Sequence, residues 1–287
     1  MEMNLTQHGN GFNAAMFAVP GKLASLPPLS PAALKLMNLS SESDVELKQY
    51  VQIIESDPLI TAEVLQLANS PLFGFSSNVH VLGHAITLVG PERIKTLAVT
   101  AAMKAYTGGG RTESMRVSWK HSLACALACR EIAPFFKLSE DRCYTVGLMH
   151  DIGRLGLIKS FSQQYDQILV PEYVRSDEVI RVESTMLGID HCQAGLWLTR
   201  TWGFPAGFSQ VSAYHHDPVS AGHPELVQVV QVGCMLADSL GFSAVRWNKT
   251  DSCEQILSNV PRLPVNDPAW SVEKLREKIA DKIQHAG

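Results

Sequence analysis

The sequence predicts an all-α fold, and three observations carry that reading. Apolar residues recur at helical spacing from Leu23 almost to the C-terminus. Helix start and stop signals punctuate the chain at intervals of one short helix each. No alternating apolar-polar run is long enough to specify a strand.

Taken in order, residues 1–22 show no clear periodicity and are expected to be loosely ordered. Ser30-Pro31 is a cap followed by proline at the first helical position, and it opens a helix to about Asn38. Ser43-Asp44-Val45-Glu46 reads as a capping box, in which side chains at both ends satisfy free backbone donors. Its helix carries Val45, Leu47, Val51 and Ile54 and stops near Ser56. Asp57-Pro58 opens the next helix, with Ile60, Val64, Leu65 and Leu67 as apolar positions. Asn69-Ser70-Pro71 ends it, and Phe73-Gly74-Phe75 starts a loop whose rings are expected to pack between helix layers. A helix over about 81–89 follows, then Gly90-Pro91 stops it and starts another to about Tyr106. Gly108-Gly109-Gly110 is a break. A long Ala- and Leu-rich helix is predicted over 113–134, followed by helices near 139–150, 152–168, 172–188, 190–201, 205–215 and 223–242. The stretch 243–268 reads as loop with one short helix. The last helix, 271–285, places Val272, Leu275, Ile279 and Ile283 on one face and is expected to dock on the body or on a partner.

The chain of 287 residues, 46% hydrophobic and 18% charged, is of ordinary globular composition and permits one large domain or two modest ones. No run reaches the roughly 18 apolar residues of a membrane span. The polar start of the chain lacks a basic segment followed by an apolar one, so a cytoplasmic protein without a membrane anchor is expected. Cys125, Cys129, Cys143, Cys192, Cys234 and Cys253 form no C-x-x-C pair and read as buried thiols. A net charge of -4 with scattered basic residues argues against nucleic acid as the partner.

The chemistry concentrates around Gly147-Leu148-Met149-His150-Asp151-Ile152-Gly153-Arg154. Neighbouring helical residues point about 100° apart, so His150 and Asp151 flank one point from two sides. An imidazole beside a carboxylate in apolar surroundings suits a divalent cation. Alone, such a pair is more simply a buried histidine and a capping aspartate. It has company: His121 on the long helix, His191, the tandem His215-His216, and Asp238 inside the apolar run 227–240. These positions fall on five helices, and facing helices are where all-α proteins assemble metal sites. An unpaired carboxylate in an apolar helix is costly, which makes Asp238 hard to read as packing alone. His121, Cys125 and Cys129 share a face at i, i+4, i+8, where small buried thiols are the simpler account than ligands.

Two stretches resemble a known family. The first comprises Leu26-Pro27-Pro28-Leu29, Ile54-Glu55-Ser56-Asp57-Pro58, Leu67-Ala68-Asn69-Ser70-Pro71-Leu72-Phe73-Gly74 and His84-Ala85-Ile86-Thr87-Leu88-Val89-Gly90. The second comprises Trp119-Lys120-His121-Ser122-Leu123 and the Gly147–Gly153 run. Together they resemble the HDOD domain, a bacterial signalling module, over about 23–243, with an N-terminal half at 23–107 and an HD-like half at 113–243. Residues 244–287 then form a C-terminal extension. The resemblance implies a helical fold related to HD phosphohydrolases and a regulatory role through contacts with signalling proteins. Most HDOD members lack the metal ligands. This chain instead has suitable residues at the ligand positions of the related HD-GYP phosphodiesterases: His121, His150, Asp151, His191, His215, His216 and Asp238.

The resemblance therefore implies two divalent ions, with iron ahead of zinc or manganese, Asp151 shared between them, and Arg154 steadying a phosphate where those enzymes carry lysine. Val117 stands where some of them have a glutamate, which puts a third ion in doubt. The Gly-Tyr-Pro stretch is replaced by Ala221-Gly222-His223-Pro224, which puts cyclic-dinucleotide recognition in doubt. The expectation is a signalling module that binds a di-metal centre and acts mainly through protein contacts; the alternative is a metal-dependent phosphohydrolase or phosphodiesterase acting on a phosphate-containing small molecule, a nucleotide or cyclic dinucleotide.

Overall fold

Side-chain caps fix several of the helix starts. A computed structural model describes residues 19–39, 47–70, 79–108, 112–219, 222–260 and 271–285. In the N-terminal half, α1 (Gly21–Ala24) and α2 (Pro31–Asn38) lead to α3 (Leu47–Glu55), α4 (Pro58–Ala68), α5 (Leu82–Val89) and α6 (Pro91–Thr107). Asp57 caps α4 by accepting from the amides of Leu59 and Ile60 at 3.0 and 3.2 Å. Ser30, which caps α2, donates its hydroxyl to the other oxygen of Asp57, so one carboxylate joins two helix starts. Gly90 ends α5 at φ 86°, a conformation that a β-carbon would oppose, and Pro91 opens α6 immediately after it.

The second half comprises α7 (Glu113–Ile132), a short 3-10 turn (Ala133–Phe136), α8 (Glu140–Met149), α9 (Ile152–Ser160), α10 (Ser162–Ile168), α11 (Ser176–Leu187), α12 (His191–Thr201), α13 (Ala206–Tyr214) and α14 (Glu225–Ser239). Helices α15 (Cys253–Ser258) and α16 (Val272–His285) follow. The all-α expectation holds. The helix expected over 152–168 divides, because Phe161 leaves helical dihedrals at φ -140° and ψ 44° and turns its ring onto the core. The segment expected to be helical from 172 instead starts with β1 (Glu172–Tyr173), paired parallel to β2 (Arg246–Trp247). Two-residue strands are too short for periodicity to reveal. The capping box at 43–46, the Phe73 and Phe75 rings, Gly109-Gly110, Ala221 and residues 261–268 lie outside the described residues.

Helix α7 is the axle. It is buried along most of its length and packs against α8, α14 and α16. Small residues permit the close approach: a β-carbon on Gly147 or Gly233 would meet the Cys129 sulfur at 2.9 or 2.4 Å. The thiols of Cys125 and Cys129 are themselves buried and turned toward the carbonyls of Val230 and Val229 on α14. Thus α8, which ends at His150, and α14, which bears Asp238, are pressed against the helix bearing His121. Helix α16 lays Leu275, Ile279 and Ile283 on the body, with Lys278 bonded to Glu131 of α7 at 2.7 Å. One apolar core runs through both halves. Among the described residues, no helix is long and apolar enough to cross a membrane.

Candidate metal centre

Five imidazoles converge where the ends of α8, α12 and α13 meet the middle of α7. Ring centroids of His121 and His150 are 5.2 Å apart, those of His150 and His215 5.0 Å, and those of His191 and His216 4.9 Å. The backbone fixes how each ring is turned. His150 Nδ1 donates to the Gly147 carbonyl at 2.7 Å, and His215 Nδ1 donates to that of Ser212 at 3.1 Å. Each bond leaves an Nε2 lone pair facing inward, and both Nε2 atoms are buried without a hydrogen-bond partner. His121 Nδ1 donates to the Phe242 carbonyl at 2.8 Å, which turns its Nε2 toward the Cys234 sulfur at 3.4 Å. Two donor groups result: His121, His150 and Cys234, and His191, His215 and His216, each with ligand atoms within 4.8 Å of one another.

Asp151 stands between these groups. One of its oxygens accepts from Arg154 Nε, while Oδ1 is buried without a hydrogen-bond partner and lies 3.9 Å from His191 Nε2. A buried lone pair left unsatisfied is costly. Three such atoms, two imidazole nitrogens and a carboxylate oxygen, turned toward one space form a donor set that fits a first-row divalent ion.

Arg154 is buried and does not line the open cleft. Its guanidinium donates to Asp151, to the Tyr165 hydroxyl at 2.8 Å, to Glu183 Oε1 at 3.4 Å and to His191 Nε2 at 3.2 Å. Glu183 binds His191 twice, accepting from its backbone amide at 2.9 Å and from Nδ1 at 2.5 Å. Tyr165 also donates to Glu183. Asp238 accepts from Trp247 Nε1 at 2.9 Å and lies 3.5 Å from Nδ1 of His121, on the side of that ring away from Cys234. All seven sequence-predicted ligand residues are therefore brought into one neighbourhood.

Sequence reasoning missed Glu183, Tyr165 and Cys234. A signal existed for Glu183: with Val179 and Leu187 it repeats every fourth residue on the buried face of α11. Cys234 likewise lies one turn before Asp238 on α14.

Burial pushes the pKa values of His121 and His150 below the ordinary imidazole range, against the pull of Asp238 and Asp151. Burial lowers His215 and His216 further, and the neighbouring imidazoles and Arg154 add to it. Burial opposes charge on Asp151, yet Arg154, His191 and His150 outweigh it and hold its pKa below the usual carboxylate range. The four lowered histidines are therefore neutral and ligand-ready at neutral pH. In the unfolded chain they titrate near 6.5, so below about 6.5 the unfolded state binds more protons and stability falls as pH drops. The maximal slope is about 1.4 kcal/mol per histidine per pH unit. His191, raised by Cys192 and Glu183 despite burial and Arg154, works in the opposite direction. Four against one gives a net loss, so the urea midpoint of chelator-treated protein should fall between pH 7 and 5.5. A flat or rising midpoint over that range would contradict the assignment of neutral buried imidazoles.

A cleft of about 400 Å³ reaches the centre from outside, with His215, His216, Cys234 and Asp238 among its walls. Arg175 and Lys249 share the wall with Asp217, Asp238 and Asp251, so it carries no excess of positive charge.

The HDOD domain profile matches residues 26–218. An HDOD domain protein of unknown function from Geobacter sulfurreducens has a similar structure, with a TM-score of 0.70, 20% identity and 91% of each chain covered. A protein of Shewanella amazonensis provisionally named a metal-dependent phosphohydrolase gives a TM-score of 0.61 at 21% identity, covering 92% of this chain and 95% of that one. An uncharacterised protein of Treponema pallidum is 19% identical over 210 residues, which span 70% of this chain and 39% of that protein. With two thirds of its length matched by one family profile, and with that family's helical fold, the chain belongs to the HDOD domain family.

Proposed function

We propose that this HDOD protein holds a pair of divalent ions on its histidine centre and hydrolyses a phosphoester of a small phosphate-containing molecule admitted by the cleft. The observation that carries the reading is that His215 and His216 belong both to a donor group and to the cleft wall. The volume suits a compact ligand of nucleotide size. Because the wall carries no excess of positive charge, the ligand's negative charge would be met by the ions. Bound ions would supply charge neutralisation at the phosphate and activation of water.

The protein's own contribution is orientation. Arg154 fixes Asp151 with Oδ1 turned inward, Glu183 fixes the tautomer and tilt of His191, and the Gly147 and Ser212 carbonyls fix His150 and His215.

One observation favours a second reading, a signalling module whose metal is structural or sensory and which acts through protein contacts. The HD-motif cation, Arg154, is engaged wholly inside the protein. A phosphate in the cleft would then lack the contact expected of it.

Elemental analysis of protein purified without a metal-affinity tag, beside His150→Ala and Asp151→Ala, comes first. Near-stoichiometric iron, zinc or manganese in the wild type, reduced at least tenfold in both variants, is expected. Hydrolysis of a chromogenic phosphodiester by the loaded wild type should fall in parallel. A loaded protein without turnover on phosphodiester or nucleotide substrates would leave the second reading standing. Absence of metal would sink both.

A further inference from the structure

Cys234 is the donor that neither the sequence pattern nor the family resemblance supplies. We propose that Cys234 ligates one ion of the centre as a thiolate, at the position the sequence assigns to Asp238, and so selects zinc or iron over manganese. This rests on the metal-binding reading above.

Geometry carries the assignment. The Cys234 sulfur lies 3.4 Å from His121 Nε2, the ring nitrogen left free by the bond from Nδ1 to the Phe242 carbonyl. A tetrahedral ion with bonds of about 2.3 Å to sulfur and about 2.0–2.1 Å to nitrogen holds those donors about 3.6 Å apart. The sulfur and the nitrogen therefore already stand close to the edge of such a coordination shell. The third corner is His150 Nε2, buried and without a hydrogen-bond partner, within 4.8 Å of the other two donors. Cys234 also lines the cleft, so a fourth position would open toward the ligand.

Asp238 sits differently. It is one turn further along α14 and faces His121 from the Nδ1 side, at 3.5 Å, while its other oxygen accepts from the Trp247 indole. The two ring nitrogens of an imidazole point in diverging directions. His121 Nδ1 gives its hydrogen to the Phe242 carbonyl, so Asp238 Oδ1, which has no hydrogen-bond partner, acts on the ring by charge alone and from the Nδ1 side, away from an ion bound at Nε2. The Phe242 carbonyl thus positions His121, Asp238 adds an electrostatic pull on the ring, and Cys234 takes the ligand role at Nε2. Thiolate is a soft donor that favours zinc and iron, whereas an oxygen-rich set would suit manganese. On binding, the thiol proton is released to solvent.

The test is X-ray absorption on the full chain loaded with zinc, together with the optical spectrum of the cobalt-loaded protein. One sulfur scatterer at about 2.3 Å and a near-ultraviolet thiolate-to-cobalt charge-transfer band are expected in the wild type. Both should vanish in Cys234→Ser, which nearly preserves volume and should keep its helical circular dichroism. Asp238→Asn should retain the sulfur scatterer while binding zinc about tenfold or more weakly. A bound ion with nitrogen and oxygen neighbours only, or sulfur that persists in Cys234→Ser, overturns the ligand assignment and leaves the metal-binding reading intact. Failure to bind zinc or cobalt at all overturns both.

Discussion

Replacing Glu183 with alanine should cost about 3–5 kcal/mol of folding stability, the range for removing one partner from a buried charge pair. Glu183 has no exposed surface, and the Arg154 guanidinium beside it is 3% exposed. Without the carboxylate, Arg154 retains only Asp151 as an anionic partner, and the Tyr165 hydroxyl and His191 Nδ1 lose their acceptor. Water cannot readily replace those bonds inside the core. The urea midpoint should drop with the slope of the transition unchanged, which marks lost stability and not an altered unfolded state. Glu183→Gln keeps the size and one acceptor oxygen, so its cost should be smaller. Both variants should bind metal about 10–100-fold more weakly, because His191 loses the partner that sets its tautomer. If Glu183→Ala unfolds at the wild-type midpoint, the internal network is not what holds Arg154 and His191 in place.

The contrast between Arg154 and Glu183 shows where sequence reading reaches its limit here. Arg154 was legible as a cation three residues after Asp151, and that spacing does bring its Nε onto the aspartate. Its remaining donors are aimed by α10, α11 and α12, whose positions around α9 are tertiary facts. The sequence therefore suggested a phosphate contact where the fold makes an internal tie. Caps at Ser30 and Asp57 were legible because each acts within three residues, whereas the bond joining them spans 27 positions. The histidines were legible as a set, since imidazoles spread over apolar helices call for an explanation. Which nitrogen each presents was not, because Phe242, Gly147 and Ser212 carbonyls decide it. Cys234 is one of six buried thiols, and only the turn of His121 toward it sets it apart.

Gly153→Ala should disrupt both fold and centre. Gly153 lies in the first turn of α9, between Asp151 and Arg154, where α9 meets the start of α12 backbone to backbone. A β-carbon there would stand 2.0 Å from the His191 carbonyl oxygen and 2.4 Å from the Gly195 amide nitrogen. Neither atom is the tip of a side chain that can swing away. The helices would have to part by about an ångström, and Gly195 is itself seated against Ser212 of α13, so the displacement would pass to the helix bearing His215. Overpacking in a well-filled core costs about 1–3 kcal/mol, and a clash with rigid backbone belongs at or above the top of that range.

Two other glycines grade the effect. Gly156→Ala meets the Leu198 side-chain end at 2.8 Å, which can yield, so a smaller loss is expected. Gly21→Ala meets nothing within 4 Å and should be close to neutral. Urea midpoints in the order Gly21, Gly156, Gly153, from least to most lowered, would support the backbone contact. Because His191 and Asp151 flank it, Gly153→Ala should also lose metal, even where enough folded protein remains to measure. Wild-type metal content in a destabilised Gly153→Ala protein would mean that the centre tolerates movement of α12, and the rigid orientation proposed for His191 would then fail.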